Sequence, residues 1–196
     1  MAKLSFHYAA MNAGKSTALL QASHNYRERG MRTALFTSHH YAENGVGRIA
    51  SRLGVSADAQ VFSPGDDLFG RIRGQHTQAP LACVLVDEAQ FLETDQVWQL
   101  ARVADRLDVP VIAYGLRTDF RGALFPGSAA LLGVADELRE IRTVCFCGRN
   151  AGFVARLGPD GRALTQGAQV AVAKAQYVSL CRRHWDEATG RWPAAE

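Results

Sequence analysis

The sequence lacks any long apolar run and carries little net charge. No stretch approaches the ~20 apolar residues that a membrane-spanning helix needs, so we expect no membrane partner. The chain of 196 residues has 22 basic and 19 acidic side chains. The resulting net charge of +3 is too small to indicate a nucleic-acid partner. The N-terminus lacks the apolar region and cleavage site of a signal peptide, which predicts a cytoplasmic protein.

Lysine and cysteine are both scarce. The only lysines are Lys3, Lys15 and Lys174. A coding bias toward arginine explains this scarcity, but it also makes Lys15 conspicuous. The chain has four cysteines, and in a reducing cytoplasm these are expected to be metal ligands or buried thiols rather than disulfides.

The order of apolar segments predicts an α/β fold. Strands are expected near residues 4–8, 33–37, 81–86 and 109–114, with helices at 16–28, 66–73 and 94–107. Strands that alternate with helices predict a parallel sheet with helices on both faces. Residues 115–128 are rich in Gly, Arg and Pro and predict a long loop, a feature that is usually functional inside a compact domain.

The character of the chain changes after residue 143. Cysteines appear, short strands replace the α/β alternation, and residues 185–191 predict a closing helix. We therefore expect a P-loop nucleotide-binding α/β domain over residues 1–143 and a small zinc-binding domain over residues 144–196.

A phosphate-binding loop follows the first predicted strand and precedes the first predicted helix. Its sequence is Ala9-Ala10-Met11-Asn12-Ala13-Gly14-Lys15-Ser16. This matches the P-loop pattern G-x-x-x-x-G-K-[ST], except that Ala9 replaces the first glycine. Alanine is tolerated there if its φ is negative. Backbone N–H groups would surround the phosphates of ATP, Lys15 would neutralise the β- and γ-phosphates, and Ser16 would offer an oxygen to Mg²⁺.

An acidic pair, Asp87 and Glu88, ends the most apolar predicted strand. An acid at this place holds the Mg²⁺ of P-loop proteins, and Asp87 fits that role. Glu88 would face the cleft at the carboxyl edge of the sheet, where a carboxylate can accept a proton from an attacking hydroxyl or water. Gln90 could bind the nucleotide or the loop. The alternative is that the two acids only cap the next helix.

Three cysteines and a histidine predict a metal site near the C-terminus. Cys145 and Cys147 precede a predicted hairpin, and Cys181 and His184 follow it. Two such ligand pairs suit a tetrahedral, structural Zn²⁺ site. Buried free thiols are the alternative. Cys83 lies within a predicted strand and is expected to be an ordinary core residue.

With these motifs in order, the chain resembles the cytosolic, zinc-containing (type II) thymidine kinases, especially the bacterial members. The matching stretches are residues 8–20, 85–91, 114–125, 145–149 and 177–184. The resemblance implies a RecA-like α/β domain with a small zinc domain, and ATP-dependent phosphorylation of the 5′-hydroxyl of thymidine. It also implies a homotetramer and feedback inhibition by thymidine triphosphate.

The resemblance also assigns residue roles. Residues 115–122 become a lasso that closes over thymidine, with Leu116 and Phe120 against the base. Tyr177 and Met11 would line the same pocket, and Glu88 would be the catalytic base. The zinc ligands would be Cys145, Cys147, Cys181 and His184. The pair Ala173-Lys174 departs from the Gly-Gly turn that the family leads us to expect beside the thymine.

Other functions compete with the kinase. A RecA-like ATPase would use the acidic pair to activate water without a nucleoside acceptor. A zinc-ribbon module that uses ATP only as a switch is a second alternative. Within the kinases, deoxyuridine or another pyrimidine nucleoside could be the acceptor, because one methyl group in a pocket is worth only about 1–3 kcal/mol.

Overall fold

A sheet of eight strands forms the centre of the molecule. The structure is a computed structural model and describes residues 1–43, 46–170 and 176–191. The strands are β1 (Leu4–Ala9), β2 (Thr33–Ser38), β3 (Ala42–Glu43), β4 (Val46–Ala50), β5 (Ser56–Phe62), β6 (Cys83–Val86), β7 (Val111–Leu116), β8 (Glu137–Glu140), β9 (Phe153–Leu157) and β10 (Gln176–Leu180). The helices are α1 (Lys15–Glu28), α2 (Leu68–Gln78), α3 (Thr94–Leu107), α4 (Pro126–Val134) and α5 (Arg182–Thr189).

The main sheet has the order β3-β4-β5-β2-β6-β7-β1-β8. All pairings from β5 to β8 are parallel, and β3 and β4 extend the β5 edge as antiparallel strands. One strand, β7, separates β1 from β6. The loop after β1 and the acidic pair after β6 therefore meet at the carboxyl edge of the sheet, where α/β folds bind ligands.

Alternate residues of the buried strands face two hydrophobic clusters. Val84 and Val86 pack with the larger cluster under α2, α3 and α4, whereas Cys83 and Leu85 face the smaller cluster under α1. This period of two is the geometry of a strand covered on both sides. The prediction of a parallel sheet with helices on both faces is confirmed, with the addition of the antiparallel strands β3 and β4 at one edge.

Several elements differ from the sequence prediction, among them the loop at 115–128, strand β8 and the closing helix. The predicted loop at 115–128 is shorter, because β7 continues to Leu116 and α4 begins at Pro126, the helix position that proline favours. Strand β8, with the sequence ELRE, has mostly exposed side chains and no apolar alternation that could have revealed it. The closing helix, α5, begins and ends earlier than predicted, at Arg182 and Thr189.

A smaller unit follows the main sheet. Strands β9 and β10 form an antiparallel pair, and α5 packs against β9. A hydrophobic cluster of its own contains Ala155, Leu180 and Trp185. We call residues 144–170 and 176–191 the C-terminal unit. None of the helices in the described part of the chain has both the length and the apolar character of a membrane-spanning segment.

Candidate active site

The P-loop joins β1 to α1. Ala9 is the last residue of β1, pairs with Leu116 of β7 and is buried. Its φ is not positive, whereas Asn12 and Gly14 have φ values of 62° and 84°. The turn therefore needs a left-handed residue at Asn12 and Gly14 but not at Ala9, which is why alanine is tolerated there.

Lys15 begins α1 with its side chain buried in the loop. Its Nζ donates a hydrogen bond to the carbonyl oxygen of Ala10 at 3.0 Å. Burial lowers the pKa of Lys15, and the charges of Glu88 and Asp87 oppose that shift. A lysine ammonium that is held among backbone groups at a helix N-terminus is positioned to meet an anion such as a phosphate.

Ser16 and Asp87 meet beside the loop. The Ser16 hydroxyl donates to Asp87 Oδ2 at 2.8 Å, and the backbone N–H of Glu88 donates to Asp87 Oδ1 at 3.0 Å. Asp87 is 4% exposed. Burial raises its pKa, although these two hydrogen bonds and Lys15 oppose the shift. A hydroxyl and a carboxylate at this distance supply the hard oxygen donors that Mg²⁺ prefers.

Glu88 sits in a strained conformation at the turn that follows β6. Its φ of 54° is in the left-handed region, which non-glycine residues rarely occupy and which occurs often at functional sites. Burial and the neighbouring Asp87 raise the pKa of Glu88 to about 7, against the opposing effects of Lys15 and Gln90. This value suits a group that accepts a proton near neutral pH.

Gln90 holds the Glu88 carboxylate in place. Its Nε2 donates to Glu88 Oε2 at 2.6 Å, and its Oε1 accepts the backbone N–H of Leu116 at 3.0 Å. Gly115 has no space for a side chain, since a Cβ there would lie 2.9 Å from Gln90 Oε1. Both ends of the Gln90 amide are thus bound within the protein, an arrangement that favours positioning Glu88 over contact with the nucleotide.

Two cavities adjoin at this edge of the sheet. The larger one is lined by the P-loop from Met11 to Ser16, by the 50–53 turn and by Glu88. The smaller one is lined mostly by apolar side chains from the end of β7, the 117–125 loop and the C-terminal unit. Met11, Tyr41 and Leu116 line both cavities. We call the larger the donor cavity and the smaller the acceptor cavity.

The predicted base-pocket residues come together in the acceptor cavity. Met11, Leu116, Phe120 and Tyr177 all line it. The hydroxyl of Ser179 on β10 donates to the Met11 carbonyl at 2.6 Å and so ties the C-terminal unit to the P-loop. The departure at Ala173-Lys174 lies outside the described residues.

The four predicted metal ligands lie together in one cluster. The ligand atoms of Cys145, Cys147, Cys181 and His184 all lie within 4.8 Å of one another. Cys147 Sγ is 3.9 Å from Cys181 Sγ, and His184 Nδ1 is 3.3 Å from Cys145 Sγ and 3.5 Å from Cys181 Sγ. Tetrahedral Zn²⁺ with its usual bond lengths would place sulfurs about 3.8 Å apart and sulfur and nitrogen about 3.6 Å apart. The donor set fits that ion.

The surroundings of the cluster favour the thiolate form of Cys145. Burial raises the pKa of the Cys145 thiol, but hydrogen bonds from the backbone N–H groups of Cys147 and Cys181 and contact with His184 bring it down to about 6. The other ring nitrogen of His184, Nε2, lies 3.9 Å from a Glu187 carboxylate oxygen. That distance is too long for a hydrogen bond, so the carboxylate acts on the imidazole only through its charge.

Sequence reasoning missed several residues around the acceptor cavity. Tyr41, Val154 and Gln169 line it as well. Arg156 lies directly behind Phe120 and Tyr177. None of these belongs to a recognisable motif, because their proximity depends on contacts between segments that are far apart in the chain.

The fold, the P-loop site and the cysteine cluster define a class: a P-loop α/β protein with a C-terminal Cys/His cluster that could hold a metal ion. The sequence model of the family described as "Thymidine kinase" matches residues 2–185, and the chain belongs to that family.

Bacterial relatives are similar over almost the full chain. A thymidine kinase of Mesorhizobium japonicum is 62% identical over 97% of this chain and 94% of its own length. One of Ruegeria pomeroyi is 63% identical over 97% and 96%, and one of Agrobacterium fabrum is 60% identical over 95% and 97%. Among solved structures, a DnaA replication initiator bound to AMPPCP and single-stranded DNA reaches a TM-score of only 0.39, with 16% identity over 72% of this chain and 40% of its own.

Proposed function

We propose that this chain transfers the γ-phosphate of ATP to the 5′-hydroxyl of thymidine, giving thymidine monophosphate and ADP. One observation carries the proposal: the P-loop cavity adjoins a second, mostly apolar cavity, and Glu88 lies beside their shared wall. An enzyme that only hydrolyses ATP needs no second cavity of this kind. Family membership and the names of the bacterial relatives support thymidine as the acceptor.

The donor side neutralises phosphate charge. Backbone N–H groups of the P-loop hold the β- and γ-phosphates, and the Lys15 ammonium lies against the transferred group. Ser16 and Asp87 would hold Mg²⁺, which neutralises charge on the phosphate oxygens when it is bound. Lys15 is already desolvated, and in a water-poor site its charge acts more strongly on the phosphates than it would in water.

The acceptor side orients the hydroxyl. Leu116, Phe120 and Tyr177 enclose the nucleoside so that its 5′-oxygen points through the shared wall toward the γ-phosphorus. Gln90 fixes one oxygen of the Glu88 carboxylate, and the other, Oε1, accepts the hydroxyl proton. Positioning of the two reactants supplies much of the rate, and general-base catalysis typically adds ~10²–10⁴-fold.

Several finer features belong to the same proposal. Cys145, Cys147, Cys181 and His184 hold a structural Zn²⁺, and residues 1–143 and 144–196 are the two domains. The free cysteines of the cluster suit a reducing compartment such as the cytoplasm. Family membership supports a homotetramer that thymidine triphosphate inhibits.

The test is a product assay. Purified protein is incubated with ATP and Mg²⁺ and, separately, with thymidine, deoxyuridine, deoxycytidine, deoxyadenosine and deoxyguanosine, and nucleoside monophosphates are quantified. We expect thymidine monophosphate with little product from purine nucleosides. Hydrolysis of ATP without any nucleoside product would replace the kinase with an ATPase.

A further inference from the structure

Arg156 is a cation that lies buried beside the acceptor cavity. The residue lies on β9, only 6% exposed. Its guanidinium donates to the carbonyl oxygens of Ala168 at 2.8 Å and Gln169 at 2.9 Å, and to the Tyr177 hydroxyl at 3.1 Å. Within the described ranges, none of its nitrogens forms an ion pair. Burying an unpaired charge is costly, so its retention calls for an explanation.

The groups that Arg156 contacts belong to the wall of the acceptor cavity. The Arg156 Cζ lies 3.9 Å from the centre of the Phe120 ring and 5.4 Å from that of Tyr177. Phe120, Gln169 and Tyr177 all line the cavity. Three separate segments, the 117–125 loop, the 168–169 backbone and β10, are therefore held by one planar side chain. Only arginine combines a stacking plane with a fork of five N–H donors.

The contact with Tyr177 also fixes the direction of its hydroxyl. Arg156 has no acceptor atom, so in this hydrogen bond the phenol oxygen is the acceptor. The phenol proton must then be donated elsewhere, and in the described part of the chain the Tyr177 hydroxyl donates to no protein group. The side chain is only partly buried and lines the acceptor cavity, so an oxygen of a nucleoside that displaces water from this cavity can accept the phenol proton.

We propose that Arg156 is a positioning residue that determines nucleoside affinity: it holds the Tyr177 hydroxyl as a donor to an oxygen of the nucleoside and fixes Phe120 against the base. The inference rests on the proposed kinase function. It differs from a purely structural role, in which loss of Arg156 would lower stability or impair use of both substrates. Under our proposal, loss of Arg156 weakens the binding of the nucleoside and leaves the binding of ATP unchanged.

The experiment compares KM and kcat for both substrates in the full-length protein. The variants are Arg156→Met, which keeps the apolar stem but loses the guanidinium, Tyr177→Phe, which loses only the hydroxyl, and the double variant. Arg162→Met is the matched control, because Arg162 is exposed in the turn after β9 and its side chain makes no hydrogen bond or ion pair with other described residues. Thermal melting and metal content verify that each variant is folded.

We expect Arg156→Met and Tyr177→Phe each to raise the thymidine KM by about tenfold or more, the scale of a lost hydrogen bond to a charged or buried polar group. The ATP KM should stay within about twofold of the wild-type value, and Arg162→Met should match wild type. The double variant should raise the thymidine KM by clearly less than the product of the two single increases, since both substitutions act through the Tyr177 hydroxyl.

If the effects of Arg156→Met and Tyr177→Phe on the thymidine KM multiply in the double variant, the two residues are not coupled. If Arg156→Met leaves the thymidine KM unchanged, or raises the ATP KM equally, Arg156 has no positioning role toward the nucleoside. If Arg156→Met fails to fold, Arg156→Lys takes its place in the cycle, since it keeps the charge but loses the planar fork. A wild-type protein that makes no thymidine monophosphate would instead refute the proposed function itself, so the two failures are distinguishable.

Discussion

The donor and acceptor sides of the site are held by different means. On the donor side, the P-loop, Asp87 and Glu88 follow directly from β1 and β6, and β7 sets their separation through parallel pairing. On the acceptor side, the 117–125 loop depends on side chains of the C-terminal unit. The indole Nε1 of Trp185 donates to the carbonyl oxygens of Phe120 at 3.2 Å and Val154 at 3.0 Å.

The loop also bonds within itself and to a neighbouring segment. Asp119 is buried and accepts hydrogen bonds from the backbone N–H groups of Arg121 and Ala123. The Gln169 amide lies 3.3 Å from the same carboxylate. At Gly122, φ is +77° and a Cβ would lie 2.9 Å from the Trp185 ring, so the loop approaches α5 as closely as only glycine allows.

Because the two sides are held by different contacts, we expect that substitutions can impair phosphoryl transfer and nucleoside binding separately. Changes on the donor side should lower turnover while the nucleoside still binds. Changes in the C-terminal unit should weaken nucleoside binding while the P-loop still binds ATP. The three predictions below test that separation, from the largest expected effect to the smallest.

The Glu88→Gln variant removes the proposed base and keeps a side chain of the same size. We expect kcat to fall by ~10²–10⁴-fold, the usual contribution of a general base, while ATP and thymidine still bind with near wild-type affinity. Steady-state kinetics together with calorimetric binding would measure both. The control is Asp105→Asn, an exposed carboxylate on α3 that should leave all constants unchanged. Near-normal turnover by Glu88→Gln would remove Glu88 from the mechanism.

Loss of the metal should affect the acceptor side first. Cys181 immediately precedes α5, the helix that carries both His184 and Trp185. A Cys181→Ser variant or a chelator should therefore release the support of the 117–125 loop and raise the thymidine KM by about tenfold or more, in line with the usual effect of disturbing a metal site. Binding of ATP should change little. Metal analysis of the wild type should find about one Zn²⁺ per chain.

Cys83→Ala provides the control for metal loss, because Cys83 is a buried thiol in β6 away from the cluster. It should keep its metal and its thymidine KM. Chelated protein with unchanged thermal stability and unchanged nucleoside binding would show that the C-terminal unit does not need the metal.

The same contrast explains which features the sequence could predict. The P-loop, the acid pair and each of the two predicted pairs of metal ligands stand at short spacings along the chain, so each group could be recognised locally. The alternation of strand and helix segments predicted the parallel sheet, and the parallel pairing of β1, β7 and β6 brings Ser16 to Asp87. The Cys/His pairs were recognisable because a β-hairpin brings its two ends together.

The remaining features depend on long-range packing and left no local signal. Strand β8 is polar and exposed, so it has no apolar alternation. Arg156 looks like one more arginine in an arginine-rich chain until Phe120 and Tyr177, 36 and 21 residues away in sequence, are seen around it. Gln90 was recognised as a site residue, but its hydrogen bond to the N–H of Leu116 could only be seen in the structure.

The smallest predicted effect concerns the direct link between the two sides. Ser179→Ala removes the 2.6 Å hydrogen bond from β10 to the carbonyl of Met11, a contact with a typical net value of about 0.5–1.5 kcal/mol. Because Met11 lines both cavities, we expect a rise of about two- to tenfold in the thymidine KM, with a smaller rise in the ATP KM. Ser63→Ala is the control, since the Ser63 hydroxyl makes no hydrogen bond with the described residues. If Ser179→Ala lowered kcat as strongly as Glu88→Gln does, the donor and acceptor sides would not be separable.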